Sequence, residues 1–314
     1  MTEMLPPLSG VIPVIVTCFD DQEQLDFGDL ERQIDHLATG PCSWVAIGFG
    51  SEIARLSPEE LDDLVRNWVK FAEGRIGVVG NAEVTGTQPG LAAIERVARC
   101  GASVAMVRPS ALEGVQQADL YSMFAGIAEW SPLPLMIQDA PQTTAVELSA
   151  GLLASLVREF ERITAVKVEP LNSTSKITAL IEELQGADAV VLGGLGGRHY
   201  IQELERGASG TMPGPAYAEV LAAAERRYRG NNPSGAHDLL ARVGPFANLG
   251  GRDMDTFRFS QKHILKRRGI ITSTRLRAPH APVEGRFIDE LDELIDAMSL
   301  LELINECNAE LKRG

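Results

Sequence analysis

Three features of this chain predict an α/β fold, a (β/α)8 TIM barrel with a C-terminal helical appendage. Short apolar runs alternate with longer amphipathic ones, which is the rhythm of βα units. Eight such units fit in about 210 residues, which suits one closed barrel better than an open doubly wound sheet. After Gly214 the strand rhythm stops and only helical patterns follow. The barrel is therefore expected over residues 8–214, with a helical region packed on it over 215–314.

The strands are expected at Val11–Val16, Trp44–Ile47, Ile76–Val79, Ser103–Val107, Leu133–Ile137, Ile163–Lys167, Ala189–Leu192 and Ser209–Met212. Between the second and third, Ser57-Pro58-Glu59-Glu60 reads as a helix start, with serine as cap and proline in the first turn. Leu64, Val65, Trp68, Val69 and Ala72 then recur at helical spacing. Similar stretches run over 89–100, 116–130, 149–159, 173–185 and 198–206. Strands joined through helices should be parallel. The final region reads as helices over 215–228, 233–247, 257–268 and 288–312, with a proline-containing connection over 277–283.

Composition excludes several classes of function. Lys plus Arg number 29 against 43 for Asp plus Glu, a formal charge of −14 that repels nucleic acid and anionic membranes. Cys18, Cys42, Cys100 and Cys307 form no CxxC pair and have no histidines at ligand spacing, so neither zinc nor a disulfide framework is expected. Residues 1–7 lack a basic segment with a long apolar run, and no stretch of about 18 apolar residues occurs. A cytoplasmic protein acting on small molecules is the expectation.

In a barrel of this kind chemistry sits at the C-terminal ends of the strands. Lys167 closes the sixth expected strand, and a lysine is rarely buried there without a partner. Burial disfavours the charged form of an amine, and a neutral ε-amine can attack a ketone to form a Schiff base. The plainer alternative is a lysine reaching out to Glu169 and solvent. Strand alternation puts Lys167 and Glu169 on one face, so Glu169 is a candidate acid and base. Gln138 and Asp139 follow the fifth expected strand and could orient substrate or water. Gly48-Phe49-Gly50-Ser51-Glu52 follows the second, where exposed amides could hold a carboxylate. The run Gly193-Gly194-Leu195-Gly196-Gly197 does not fit GxGxxG, because His199 takes the last glycine position; Gly194 is expected to let backbone approach a small substrate.

Taken in order from about Gly10 to Pro215, these segments resemble the dihydrodipicolinate synthase and N-acetylneuraminate lyase family. The resemblance rests on Pro13-Val14-Ile15-Val16-Thr17-Cys18-Phe19, on Gly48 to Glu52 followed by Leu56-Ser57-Pro58-Glu59-Glu60, on the lysine strand, and on Gly207-Ala208-Ser209-Gly210-Thr211-Met212. It implies a cofactor-free class I lyase in which Lys167 condenses with pyruvate or another 2-keto acid, assembled as a homodimer or homotetramer. By the same likeness Phe49, Gly50, Ser51 and the Met212 backbone would bind the keto-acid carboxylate.

Departures from the family pattern narrow the activity. Gln138-Asp139-Ala140-Pro141 stands where the family has Tyr-Asn-x-Pro, and an amide cannot replace a phenol as a titrating acid. Phe49 and Gly50 replace two threonines, Ser110-Ala111 replaces a tyrosine pair, and Thr143 occupies the place of an arginine that binds the synthase's second substrate. Family dehydratases of 2-keto-3-deoxy sugar acids also lack the tyrosine and carry a carboxylate near the lysine. The leading expectation is a Schiff-base dehydratase or aldolase of a 2-keto-3-deoxy acid. Two alternatives are a dihydrodipicolinate synthase with altered residues and a catalytically weak keto-acid-binding protein.

Overall fold

The computed structural model describes residues 6–110, 112 and 114–313; the expected stand-in for part of the tyrosine pair, Ala111, lies outside them. Eight parallel strands form one sheet: β1 Gly10–Val11, β2 Trp44–Ala46, β3 Gly77–Val84, β4 Val104–Pro109, β5 Leu135–Asp139, β6 Ile163–Val168, β7 Val190–Gly193 and β8 Gly210–Thr211. Neighbours pair in the order β1-β8-β7-β6-β5-β4-β3-β2, and a parallel bridge between Val14 and Ala46 joins the two ends. The sheet is thus rolled into a barrel.

The first and last strands are shorter than the apolar runs predict because proline interrupts their ladders. Pro13 and Pro213 have no N–H to donate, although their carbonyls still accept from Ala46 and Val14. β3, β4 and β5 instead run past their expected ends. Gln138 and Asp139 therefore lie within β5, and Lys167 is followed by one more β6 residue.

Helices cover the barrel: α1 Phe27–Ala38, α2 Pro58–Ala72, α3 Thr87–Arg99, α4 Gln117–Trp130, the single turn α5 Pro141–Thr144, α6 Ala150–Glu159, α7 Ser173–Leu184 and α8 Tyr200–Leu204. The chain continues through α9 Ala218–Arg229, α10 Pro233–Gly250, α11 Met254–Arg267, α12 Gly285–Ala297 and α13 Leu300–Lys312. α2 starts as its sequence predicts. Ser57 Oγ accepts from the Glu60 amide at 3.2 Å and Glu60 returns the bond to the Ser57 amide at 2.8 Å, with Pro58 at the first position. The single final helix expected over 288–312 is broken, because Ser299 is left-handed at φ 46°. No glycine or proline marks that break, so periodicity runs through it.

Two apolar layers follow from strand alternation. Side chains such as Trp44, Val79, Met106, Met136 and Leu192 fill the barrel interior, while the opposite strand faces pack under the helices. α9 packs on β1, α10 and α13, and α11 packs on the loop after β2. That last contact brings the C-terminal helices over the catalytic end of the barrel. Among the described residues no helix is long and apolar enough to cross a membrane.

Candidate active site

β6 supplies the central amine. Val166 and Val168 face the helix layer, so Ala165 and Lys167 face the barrel interior, and Lys167 is only 3% exposed. The ladder continues one residue beyond the strand, where the Glu169 amide donates to the Asp139 carbonyl at 2.9 Å. Glu169 consequently shares the face of Lys167, and its Oε1 lies 3.1 Å from Lys167 Nζ. Gln138 comes from the neighbouring β5, in register with Lys167, and donates through Nε2 to Glu169 Oε2 at 2.6 Å. Lys167, Glu169 and Gln138 thus form one connected group.

The glycine-rich loop after β7 wraps the same carboxylate. A Cβ on Gly194 would fall 2.3 Å from Glu169 Cγ, so the residue must be glycine to admit the glutamate, not to admit substrate as the sequence reading expects. Leu195 sits at φ 50°, a left-handed conformation that costs a leucine energy, and its amide donates to Glu169 Oε1 at 3.4 Å. Leu195 and Gly196 are the members of this loop that line the pocket.

Two further expectations are corrected by geometry. Ser51 is fully buried; its Oγ donates to the Ile15 carbonyl at 2.5 Å and accepts from the Gly48 amide at 3.2 Å, so the hydroxyl pins the loop and does not face substrate. Asp139 points outward because Gln138 points inward. Its carboxylate pairs with Lys176 Nζ at 2.7 Å and accepts from the Leu148 amide at 3.1 Å, while burial raises its pKa. Both residues hold the framework of the site.

Phe49 and Gly50 do line the pocket, on a 3-10 turn over Phe49–Ser51. The first amides of such a turn have no acceptor within it, which suits them to an anion. The Phe49 carbonyl is gripped by Arg258 of α11, through Nε at 3.0 Å and NH2 at 2.6 Å, and the Arg108 guanidinium lies 4.3 Å from its ring centre. Beside this clamp the fully buried Lys262 donates to Glu52 Oε1 at 2.5 Å. Met212 closes the floor from the end of β8.

The resulting pocket has a volume of about 440 Å³. Its floor holds Lys167 and Glu169, and its wall holds Tyr217, Phe246, Met254 and Phe257 from α10, α11 and the loop before α9. Burial pushes the Tyr217 phenol up to about 12. Sequence reasoning missed Arg258, Tyr217 and Phe257, because they lie in the helical region where no strand end marks them. Behind β7, Glu203 of α8 is fully buried, with Oε1 accepting from Ser173 Oγ at 2.7 Å and Oε2 unpaired.

A barrel whose sixth strand presents a buried lysine to a carboxylate at the catalytic end defines a class I Schiff-base enzyme. The chain belongs to the dihydrodipicolinate synthetase family, whose model matches residues 7–298. Members of that family are Schiff-base lyases acting on pyruvate and keto-deoxy acids. It is 27% identical over 282 residues to L-2-keto-3-deoxyarabonate dehydratase of Azospirillum brasilense, spanning 87% of this chain and 89% of that protein. It is also 27% identical over 303 residues to 4-hydroxy-tetrahydrodipicolinate synthase of Xanthomonas campestris, spanning 95% and 97%. The fold matches dihydrodipicolinate synthase of Rhodopseudomonas palustris with a TM-score of 0.84 at 23% identity over 92% of this chain and 97% of that one. A prophage protein of the same family from E. coli K12, solved in complex with pyruvate, matches with a TM-score of 0.85 at 22% identity over 94% and 100%.

Proposed function

We propose that this protein is a lyase that joins Lys167 to the ketone of a 2-keto-3-deoxy acid and eliminates water across C3 and C4. The observation that carries the reading is the 3.1 Å approach of Glu169 to Lys167 on the pocket floor. Attack of Nζ on C2, with loss of the ketone oxygen as water, forms an imine that draws electrons from C3. The C3 proton then passes to a base, the C3–C4 double bond forms, the C4 hydroxyl leaves as water on taking up a proton, and a water added at C2 hydrolyses the imine to release the product and free the Lys167 amine. Glu169 is near enough to the nitrogen to serve as that base and acid in turn, and the Gln138 amide holds its other oxygen. The same imine permits cleavage of C3–C4 when the C4 hydroxyl is deprotonated instead.

The substrate carboxylate is assigned to the Phe49 and Gly50 amides; the Met212 backbone expected to join them instead donates its N–H to the Gly193 carbonyl at 3.0 Å. The Azospirillum relative, a dehydratase by name, agrees with elimination, and Thr143 in the place of the synthase's arginine weighs against the synthase alternative. A metal or organic cofactor has no part in these steps, because the imine is the electron sink. The reading includes a homodimer or homotetramer as assembly and the cytoplasm as location.

Borohydride trapping with pyruvate and 2-keto-3-deoxy acids tests the first step, with an adduct expected on Lys167 by peptide mass spectrometry. Glu169→Gln should keep that adduct and lower turnover about 100-fold or more. Unchanged turnover in this variant would remove Glu169 from the mechanism, and no adduct on the unaltered protein would remove the Schiff base.

A further inference from the structure

Departure of a hydroxyl from C4 puts negative charge on that oxygen before a proton fully reaches it, and a fixed donor beside it lowers the barrier. Glu169 can deliver the proton, but both of its oxygens are already engaged near the imine nitrogen. Oε1 lies 3.1 Å from Lys167 Nζ and accepts from the Leu195 amide at 3.4 Å, while Oε2 accepts from Gln138 at 2.6 Å. A donor for the C4 oxygen has to come from another element.

Tyr217 brings one. It lines the pocket with Lys167 and Glu169 although it is only 3% exposed. Its segment follows β8 and is pinned in two places. The Val14 amide donates to the Pro213 carbonyl at 2.7 Å, and Gly214 admits Gln261 of α11, whose Oε1 a Cβ at that position would overlap. That Oε1 accepts from the Ala216 amide at 3.0 Å. The other end of the Gln261 amide is a donor, so its hydrogen bond with the phenol is given to the phenol oxygen and leaves the phenolic hydrogen free. Tyr200 and Tyr121 instead spend theirs on Glu225 at 2.6 Å and on Glu159 at 2.5 Å. Burial, which holds the Tyr217 phenol up at about 12, keeps it protonated, so it donates without ionising.

We infer that Tyr217 is a second catalytic group of this site, its O–H donating to the C4 oxygen of the imine-bound acid as that oxygen leaves; this rests on the Schiff-base reading above. In the sheet β7 separates β6 from β8, so the phenol enters the pocket two strands, roughly 10 Å, from the strand of Lys167. A chain joined to Nζ at C2 carries its C4 oxygen toward it. The C3–H electrons form the C3–C4 double bond, the C4–O bond breaks, and the oxygen takes from Glu169 the proton that C3 released. Tyr217 keeps its own proton throughout.

Pyruvate separates the two roles, because it has no C4. In deuterated water, exchange of its methyl protons needs only Lys167 and Glu169, whereas water loss from a 2-keto-3-deoxypentonate needs the C4 donor as well. Tyr217→Phe should keep borohydride trapping and exchange of pyruvate within about twofold and lower kcat for water loss about 100-fold. Glu169→Gln should lower both exchange and water loss. Gln261→Glu keeps an acceptor for the Ala216 amide and draws the phenolic hydrogen onto its second oxygen, so it should reproduce the loss of kcat with the phenol in place. Water loss in Tyr217→Phe within about threefold of the unaltered protein, or exchange and water loss falling together, overturns the role of Tyr217 and leaves the Schiff base standing. No pyruvate adduct on Lys167 of the unaltered protein overturns both.

Discussion

Replacing Glu203 with glutamine should change how stability depends on pH. The side chain is fully buried behind β7, one oxygen holds the Ser173 hydroxyl, and the other has no partner. Burial pushes its carboxyl from 4.5 up to about 7, partly offset by the Ser173 hydrogen bond, with a smaller upward push from the Glu169 charge. Between these two values the folded state holds a proton that the unfolded state has lost. Stability from this group is therefore fully present below about pH 4.5, falls as pH rises toward 7, and is flat above it. At about 1.4 kcal/mol per pH unit the loss amounts to about 3 kcal/mol. Glutamine keeps the shape and cannot ionise. Urea unfolding followed by circular dichroism at pH 5, 6, 7 and 8 should show the unaltered protein losing about 2–3 kcal/mol relative to Glu203→Gln across that range. Parallel curves, within about 0.5 kcal/mol, would refute the argument that an uncompensated buried carboxyl sits there.

Gly194→Ala should lower turnover about 100-fold with little change in melting temperature, because the new methyl would have to displace Glu169; steady-state kinetics beside calorimetry would detect this. Arg258→Met should raise the KM for the keto acid more than it lowers kcat and cost about 2–4 kcal/mol in urea unfolding, since the Phe49 carbonyl and Asp255 lose a buried donor. Lys262→Met removes one partner of the fully buried Glu52, which keeps Arg55 and the Arg277 amide at 3.0 Å, and should cost about 1.5–3 kcal/mol by the same measurement.

Lys167 is legible in the sequence because a lysine ending an apolar run is chemically anomalous wherever the strand lies. Its relation to Glu169 is legible too, since a spacing of two along a strand fixes a shared face. Asp139 could be misread from the same rule: β5 runs longer than its apolar pattern, and that extra length puts the residue inside the strand with its side chain outward. Ser51 reads as a ligand because serine in a glycine loop offers a hydroxyl. The fold spends that hydroxyl on Ile15, a partner 36 residues away that no local pattern names.

The sequence by itself determined the alternation of strands and helices, the strand that carries the amine, and the carboxylate beside it, because these follow from periods of two and 3.6 along a chain. Only tertiary structure decided what surrounds them. Arg258 lies 209 positions from Phe49, and Phe257 and Tyr217 lie 90 and 50 positions from Lys167, and α11 brings its share of them to the barrel mouth by packing against the loop after β2. Closure of a barrel makes distant segments neighbours, and no periodicity within one segment encodes which neighbour it will meet.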